Sequence, residues 1–191
     1  MPSKKEEVKE KDYDSIPLPK GGKIHHHYLT GAIKYEPKIL GLIKCLKCSG
    51  PKDLIYIYLN SQGGDLDITT QIINSINATR ATVVTVADGE VSSAASLIFF
   101  AGHALEVSEY STFLIHNGSV VIGGKFNEVK DRVANDHAFM EKLFHGVYGK
   151  FLSSSEIDKV LSGRDIILSS EQVITRINKA VEELQDESKK G

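Results

Sequence analysis

Long apolar runs and a strong charge of either sign are both missing from this sequence of 191 residues. No stretch approaches the roughly 18 consecutive apolar residues of a membrane span, and the N-terminus, MPSKKEEVKEKDYD, lacks the apolar core of a signal peptide. A formal net charge of -2 gives no patch for neutralising several phosphates. We therefore expect a soluble, cytoplasmic protein that binds neither membrane nor nucleic acid.

Cysteine is scarce as well, since Cys45 and Cys48 are the only two. They form one C-x-x-C motif, a spacing that occurs in zinc sites and redox centres. A zinc site would need two more ligands, and residues 25–27, all histidine, lie close in sequence. The surrounding segment YEPKILGLIKCLKC nevertheless has helical apolar spacing, in which cysteine serves as a small core residue. We expect no metal and no cofactor.

The chain does contain enough apolar sequence for one core. Hydrophobic residues make up 41% of a length that suits a single domain and is too short for two. Residues 4–14 mix lysine with acidic residues around one apolar Val8, so they cannot bury enough surface to order themselves. We predict a charged, flexible tail over residues 1–20 and a single domain over residues 21–191.

The centre of the chain alternates between strand and helix patterns. LIYIYL, residues 54–59, and TVVTVA, residues 82–87, are nearly continuous apolar runs that suit strands buried on both faces. A glycine turn, NSQGGD, and isoleucines at helical spacing lie between them. Such a strand–helix–strand unit predicts a parallel sheet. The unit repeats through GEVSSAAS, a small-residue helix and TFLIH, residues 112–116.

A long amphipathic helix is predicted from Phe126, after a glycine-rich stretch. Its apolar stripe exceeds what one small domain needs, so we expect it either to cap the sheet or to pack against a second subunit. A short helix from Ser155, a turn at residues 163–165 and a final helix from about Ser170 complete an α/β architecture.

Chemistry is expected where polar motifs follow the strands, because ligands of parallel sheets bind outside the carboxyl ends of the strands. NSQGGD, GEVSSAAS and His116 all occupy such ends. Acyl transfer needs a hydroxyl beside a base, a group that orients the base, and donors for the oxyanion. Glycine N–H groups can be such donors, and a helix N-terminus favours the nucleophile. GEVSSAAS contains three serines, and the residues alone leave open which of them reacts.

Taken in order, YIYLNSQGGD, GEVSSAAS, FLIH and GRDIILSSEQV resemble the proteolytic subunit of Clp protease, the ClpP family. The similarity runs from about Tyr28 to the final helix. It implies a fold of the ClpP and crotonase type, a spiral of βαβ units with a protruding "handle" helix. It also implies a homo-oligomer, in which two heptameric rings meet through the handles and enclose the active sites.

The resemblance assigns a role to each motif. The fifth residue of the family's Gly-x-Ala-Ala-Ser motif is the nucleophile and corresponds to Ser93, and the histidine at the strand end corresponds to His116. The orienting acid corresponds to Asp165, and the backbone N–H groups of Gly64 and Ala94 would form the oxyanion hole. The implied activity is that of a serine endopeptidase, which hydrolyses extended or unfolded polypeptides through an acyl-enzyme.

The other two serines, Ser92 and Ser96, are then packing or capping residues. The glycine-rich stretch resembles the family's edge strand, which receives extended substrate by β-pairing. Its residues are Gly118, Ser119, Val120, Val121, Ile122, Gly123 and Gly124.

Departures from the family pattern affect substrate preference and partners. Gln62 replaces the usual proline before the two glycines, and Asn117 with Gly118 replace Gln-Pro. The charged tail does not resemble the family's axial hairpin, so dependence on a ring ATPase is left open. One alternative is a catalytically silent, ClpP-like structural ring subunit. A crotonase-type enzyme acting on acyl-CoA is another, although it would not need all three triad candidates.

Overall fold

A seven-stranded sheet forms the centre of the computed structural model, which describes residues 13–188. The strands are β1 (Tyr13–Pro17), β2 (Lys23–Thr30), β3 (Leu54–Ser61), β4 (Thr82–Ser92), β5 (Ala104–Val107), β6 (Thr112–Ile115) and β7 (Ile166–Ser169). Their order is β1, β2, β3, β4, β6, β7, and β5 pairs with β4 beside that path. The strands from β2 to β6 pair in parallel, whereas β1 and β7 lie antiparallel to their neighbours at the two ends of the order.

Helices connect the parallel strands and follow the sheet. They are α1 (Pro37–Cys48), α2 (Leu66–Ala78), α3 (Ala94–Phe100), α4 (Phe126–Tyr148), α5 (Ser154–Leu161) and α6 (Ser170–Ser188). None of these helices, within residues 13–188, combines the length and apolarity of a transmembrane segment. The alternation of strands and helices around a largely parallel sheet confirms the predicted α/β class.

β3 is buried on one face, so the prediction that both faces are buried is wrong. Ile55, Ile57 and Leu59 are fully buried, whereas Tyr56 and Tyr58 point to the other face and are half-buried. On that face the ring of Tyr58 stacks on Tyr28 of β2, with centroids 4.9 Å apart. Aromatic side chains that cover one another give a strand the apolar composition of a buried one while leaving its outer face partly in solvent.

β4 pairs with different neighbours along its length. Residues 84–87 pair with β5, and residues 90–92 pair with β6. The second pairing continues through Ser93, whose N–H donates to the carbonyl oxygen of Leu114 at 2.8 Å. α3 follows at once, and all seven of its residues are buried. The end of β4 is therefore fixed by β6 on one side and by a buried helix beyond it.

α4 contacts the core only near its C-terminal end. Phe144 and Tyr148 are its buried residues, whereas Phe126 is 98% exposed and Val133 is 50% exposed. A helix of 23 residues that is anchored at one end has the form predicted for the handle. Toward its N-terminal end, the apolar stripe of α4 does not cap the sheet of its own chain.

The described chain contains three strands that the sequence did not predict. β1 occupies part of the predicted tail and pairs with β2 from Tyr13↔His27 to Pro17↔Lys23, so backbone order extends into residues 13–17. The prediction for residues 1–12 lies outside the described residues. β5 and β7 are four residues long, too short for an apolar repeat to be recognised.

Candidate active site

Ser93 lies in a sharp turn between β4 and α3. Its φ is 56° and its ψ is -125°, and among residues 13–188 it is the only non-glycine residue with a positive φ. Backbone conformations of this kind cost about 1–3 kcal/mol and persist only where the surroundings enforce them. A strained serine between a strand and a helix has its hydroxyl exposed at the sheet end, as in a nucleophile elbow.

The other two serines of the motif have different surroundings. Ser92 is buried and donates to Oε1 of Glu90 at 2.9 Å. Ser96 is fully buried and donates to the carbonyl oxygen of Ser93 at 2.6 Å. Ser93 is half-buried, and within residues 13–188 its hydroxyl forms no hydrogen bond. Of the three hydroxyls, that of Ser93 is the accessible one.

The glycine turn after β3 packs directly against this serine. A Cβ built at Gly63 would lie 2.7 Å from the Ser92 carbonyl oxygen, 2.7 Å from the Ser93 Cβ and 2.9 Å from the Ala94 nitrogen. Gly63 also has a φ of 94°, a conformation that favours glycine. The resemblance assigned a role to Gly64 and none to Gly63, although the glycine doublet was a signal for both.

Two backbone N–H groups near this turn, those of Gly64 and Ala94, were predicted as oxyanion donors. Gly64 lies beside Ile33, whose N–H donates to the Gly63 oxygen at 2.9 Å and whose carbonyl accepts from the Asp65 N–H at 2.8 Å. Neither bond uses the N–H of Gly64. Ala94 is the first residue of α3, where an N–H has no intrahelical acceptor. The two predicted oxyanion donors are thus left without a backbone acceptor in the described part of the chain.

His116 and Asp165 follow from the pairing of β6 with β7. The antiparallel register joins Leu114 to Ile167 and Ile115 to Ile166. His116 directly follows Ile115 and Asp165 directly precedes Ile166, so both residues lie at the same end of the β6–β7 ladder. Because the Ser93 N–H is bonded to Leu114, the backbones of all three residues meet at one end of the sheet.

Their side chains are not connected in the single chain. Within residues 13–188, no hydrogen bond joins the side chains of Ser93, His116 and Asp165. Asp165 is exposed and His116 is half-buried. An exposed carboxylate is solvated by water, so it does not fix the orientation of an imidazole unless a neighbouring group closes the site.

The predicted substrate strand is absent from the single chain. Residues 118–124 form no strand in the described structure, and Val120 and Val121 are 64% and 102% exposed. A strand needs a partner for its backbone groups, and three of these seven residues are glycines, which favour disorder of the backbone. The segment begins at a fixed point, because Asn117 Nδ2 donates to the Leu161 oxygen of α5 at 3.0 Å.

The C-x-x-C motif lies in α1, where the apolar spacing predicted a helix. Cys45 is half-buried, with its Sγ 3.6 Å from Oγ of Ser49, and burial raises the pKa of its thiol. Cys48 is exposed, and both thiols are free. In the part of the chain that the structure describes, no group of three or more His, Cys, Asp or Glu could hold a metal ion.

Two comparisons with known proteins indicate the family of this chain. The family model described as Clp protease matches residues 30–176, which is more than half of the chain and includes the serine turn, His116 and Asp165. A curated relative, the ATP-dependent Clp protease proteolytic subunit 2 of Borreliella burgdorferi, is 42% identical over 67 residues. That match covers 35% of this chain and 32% of the relative, so it spans about a third of the relative's length.

Proposed function

The chain belongs to the Clp protease family, and from that premise we propose that it is a serine endopeptidase with Ser93 as its nucleophile. The observation that carries this proposal is the strained backbone of Ser93, which packs against Gly63 of the glycine turn and precedes the N–H of Ala94. Strain at a single accessible serine is typical of a functional site rather than of packing.

The reaction follows from the roles of these groups. Oγ of Ser93 attacks the carbonyl carbon of the peptide bond while His116 accepts its proton, and Asp165 holds the imidazole tautomer. The oxyanion that develops accepts hydrogen bonds from the N–H groups of Gly64 and Ala94. His116 then protonates the leaving amine. In the second half of the reaction, water attacks the acyl-enzyme while His116 accepts its proton, and His116 returns the proton to Oγ of Ser93 as the acid product leaves.

Substrate binding is assigned to residues 118–124. Their exposed backbone groups lie next to His116 and lack a strand partner within residues 13–188. An extended polypeptide would supply that partner, with main-chain hydrogen bonds that are independent of sequence. We therefore expect unfolded or extended polypeptides as substrates and little sequence specificity.

Assembly would complete the site. The exposed apolar stripe of α4 supports packing of the handle against another copy, in a heptameric ring or a double ring. Such packing would order the segment between β6 and α4 and bring His116 and Asp165 into hydrogen-bond contact. A cytoplasmic location and a ring ATPase partner remain predictions from the family.

Labelling with a fluorophosphonate, mapped by peptide mass spectrometry, tests the proposal. The wild type in its assembled form should carry an adduct on Ser93, and both Ser93→Ala and His116→Ala should lose it. Light scattering on the same sample measures the assembly. A 21.0 kDa monomer at micromolar concentration would exclude the ring.

A second candidate function is favoured by the exposed Asp165 and the absence of a triad hydrogen bond in the described chain. It is a catalytically silent ring subunit with a structural role. An assembled particle whose Ser93 takes no adduct, and which cleaves no peptide, would support that function instead of a peptidase.

A further inference from the structure

The hydroxyl of Ser96 links the serine turn to the end of α4. Its Oγ donates to the carbonyl oxygen of Ser93 at 2.6 Å and lies 2.8 Å from the hydroxyl of Tyr148. A serine hydroxyl has one proton, so the tyrosine donates to Ser96 while Ser96 donates to Ser93. The Ser96 N–H donates to the same carbonyl at 3.0 Å. The Ser93 carbonyl therefore accepts two hydrogen bonds.

These groups lie in the interior of the protein. Ser96 is 0% exposed and Tyr148 is 1% exposed. Burial raises the pKa of Tyr148, which keeps its hydroxyl protonated and able to donate. Hydrogen bonds in such surroundings are stronger than in water, and successive bonds polarise one another.

The carbonyl of Ser93 and the N–H of Ala94 belong to the same peptide group. A trans peptide is planar, so its N–H and C=O point in opposite directions. The carbonyl points into the core toward Ser96, and the N–H consequently points away from it. The orientation of the predicted oxyanion donor is thus set by what holds the carbonyl.

We propose that Ser96 and Tyr148 are positioning residues that fix the Ser93–Ala94 peptide, so that the Ala94 N–H is aimed at the oxyanion. The inference rests on the proposed peptidase function. Hydrogen bonds accepted by the carbonyl also polarise the amide and make its N–H a better donor. The sequence suggested only a packing or capping role for Ser96 and gave no role to Tyr148.

A purely structural role for Ser96 is the alternative that the experiment must distinguish from a positioning role. Serine hydroxyls in helices commonly bond to a carbonyl one turn earlier. Ser75 of α2 does so, donating to the Gln71 oxygen at 2.7 Å, and it is 3% exposed. Ser75→Ala is therefore the matched control, since it removes a similar bond from a helix residue whose hydroxyl makes no hydrogen bond to the serine turn.

The experiment measures kcat and KM on a fluorogenic peptide, and the rate of fluorophosphonate labelling of Ser93, in the assembled protein. The variants are Ser96→Ala, Tyr148→Phe and the double variant. Tyr148→Phe keeps the ring that packs against Phe100 and Phe144, with centroids at 5.6 and 5.3 Å. Melting temperatures show that each variant is folded.

We expect Ser96→Ala to lower kcat by roughly 10- to 100-fold and to leave KM within about two-fold, because the interaction acts on the transition state. Tyr148→Phe should lower kcat by roughly 3- to 10-fold, since Ser96 still holds the carbonyl. In the Ser96→Ala background, Tyr148→Phe should have no further effect on kcat. Ser75→Ala should have wild-type kcat.

Any one of four results would overturn the inference. Ser96→Ala with wild-type kcat and labelling rate would show that the peptide needs no support, and the peptidase function would stand. Independent effects of the two substitutions, or a loss of kcat in Ser75→Ala equal to that in Ser96→Ala, would make the role structural. A wild type whose Ser93 takes no adduct would instead remove the peptidase function, and the positioning role with it.

Discussion

The two sides of the candidate site differ in how firmly one chain holds them. The nucleophile side, which consists of Gly63, Gly64, Ser93 and Ala94, is packed against buried strands and a fully buried helix. The acid–base side, which consists of His116, Asp165 and residues 118–124, is half-buried or exposed and contains no triad hydrogen bond in the described chain. The strained part of the candidate site is built into the core, and the part predicted to bind substrate is left at the surface.

The difference follows from the lengths of the strands. β3 has eight residues and β4 has eleven, and the turns after them are fixed by neighbours on both sides. β6 and β7 have four residues each. Few buried contacts and short ladders give a region low local stability, which is where movable parts of binding sites occur.

The largest effect is expected for Ser93→Gly. Glycine adopts the φ of 56° without strain, so we expect the free energy of unfolding, measured in urea, to rise by up to about 1 kcal/mol. Peptidase activity should fall by roughly 10⁴-fold or more, because the nucleophile is lost. Ser92→Ala is the control, because it removes the bond to Glu90 without relieving strain. A less stable Ser93→Gly variant would contradict strain at this turn.

Asp165→Asn should separate activity from stability on the acid–base side. Because Asp165 is exposed, we expect a stability change within about 0.5 kcal/mol. The turnover number should fall by roughly 10²- to 10⁴-fold if the acid orients His116 in the assembled enzyme. Equal turnover in wild type and variant would mean that another group holds the imidazole.

Gly63→Ala should displace the groups of the nucleophile side by steric collision. The new Cβ would collide with the Ser93 Cβ and the Ala94 nitrogen, so we expect roughly a 100-fold loss of kcat and a loss of about 2–4 kcal/mol of stability. Gly31→Ala is the matched control, since Gly31 also has a positive φ, 78°, but open space around it. It should cost about 1 kcal/mol and leave kcat unchanged.

The smallest effect is expected for the ion pair that joins α5 to α6, the helices before and after Asp165 in the chain. Nη2 of Arg176 donates to Oε1 of Glu156 at 2.7 Å, and the same carboxylate accepts from the Ser153 N–H. These hydrogen bonds lower the pKa of Glu156 to about 2, and the bond from Arg176 has the largest effect. Glu156→Gln should lower the free energy of unfolding at neutral pH by about 1–2 kcal/mol.

The sign of its pH dependence follows from that lowered pKa. The stabilisation is complete above the ordinary glutamate pKa of about 4.3 and is lost as the pH falls toward 2, so wild type and Glu156→Gln should converge in acid. Glu183→Gln, in an exposed i,i+4 pair with Lys179, is the control and should stay near wild type throughout. A difference that persists at pH 2 would assign the effect to packing.

Much of the fold could be predicted because its central elements have regular apolar patterns. α2 and the strands on either side of it were recognised from isoleucines at helical spacing and from continuous apolar runs. β7 could not be recognised, since it has four residues and Ile167 is 75% exposed. The tyrosines of β3 misled the prediction, because stacked rings on an open face resemble a core in composition.

Some residues of the candidate site could be predicted from the sequence and others could not, for a physical reason. Motif resemblance assigned Ser93, and its backbone strain supports that choice. Gly63 and Tyr148 act through contacts across the fold, which no local pattern contains. The strand at residues 118–124 was expected from relatives, yet strand formation depends on a partner and is not a property of those residues alone.

The ends of the sheet also bear on solubility. An unpaired strand edge can add another chain and start aggregation, and proteins limit this with short strands and with proline. β1 has five residues and ends in Pro17, and β7 has four. Uncontrolled growth of the sheet is thus discouraged at both ends, while the unpaired segment after β6 stays open to an added strand.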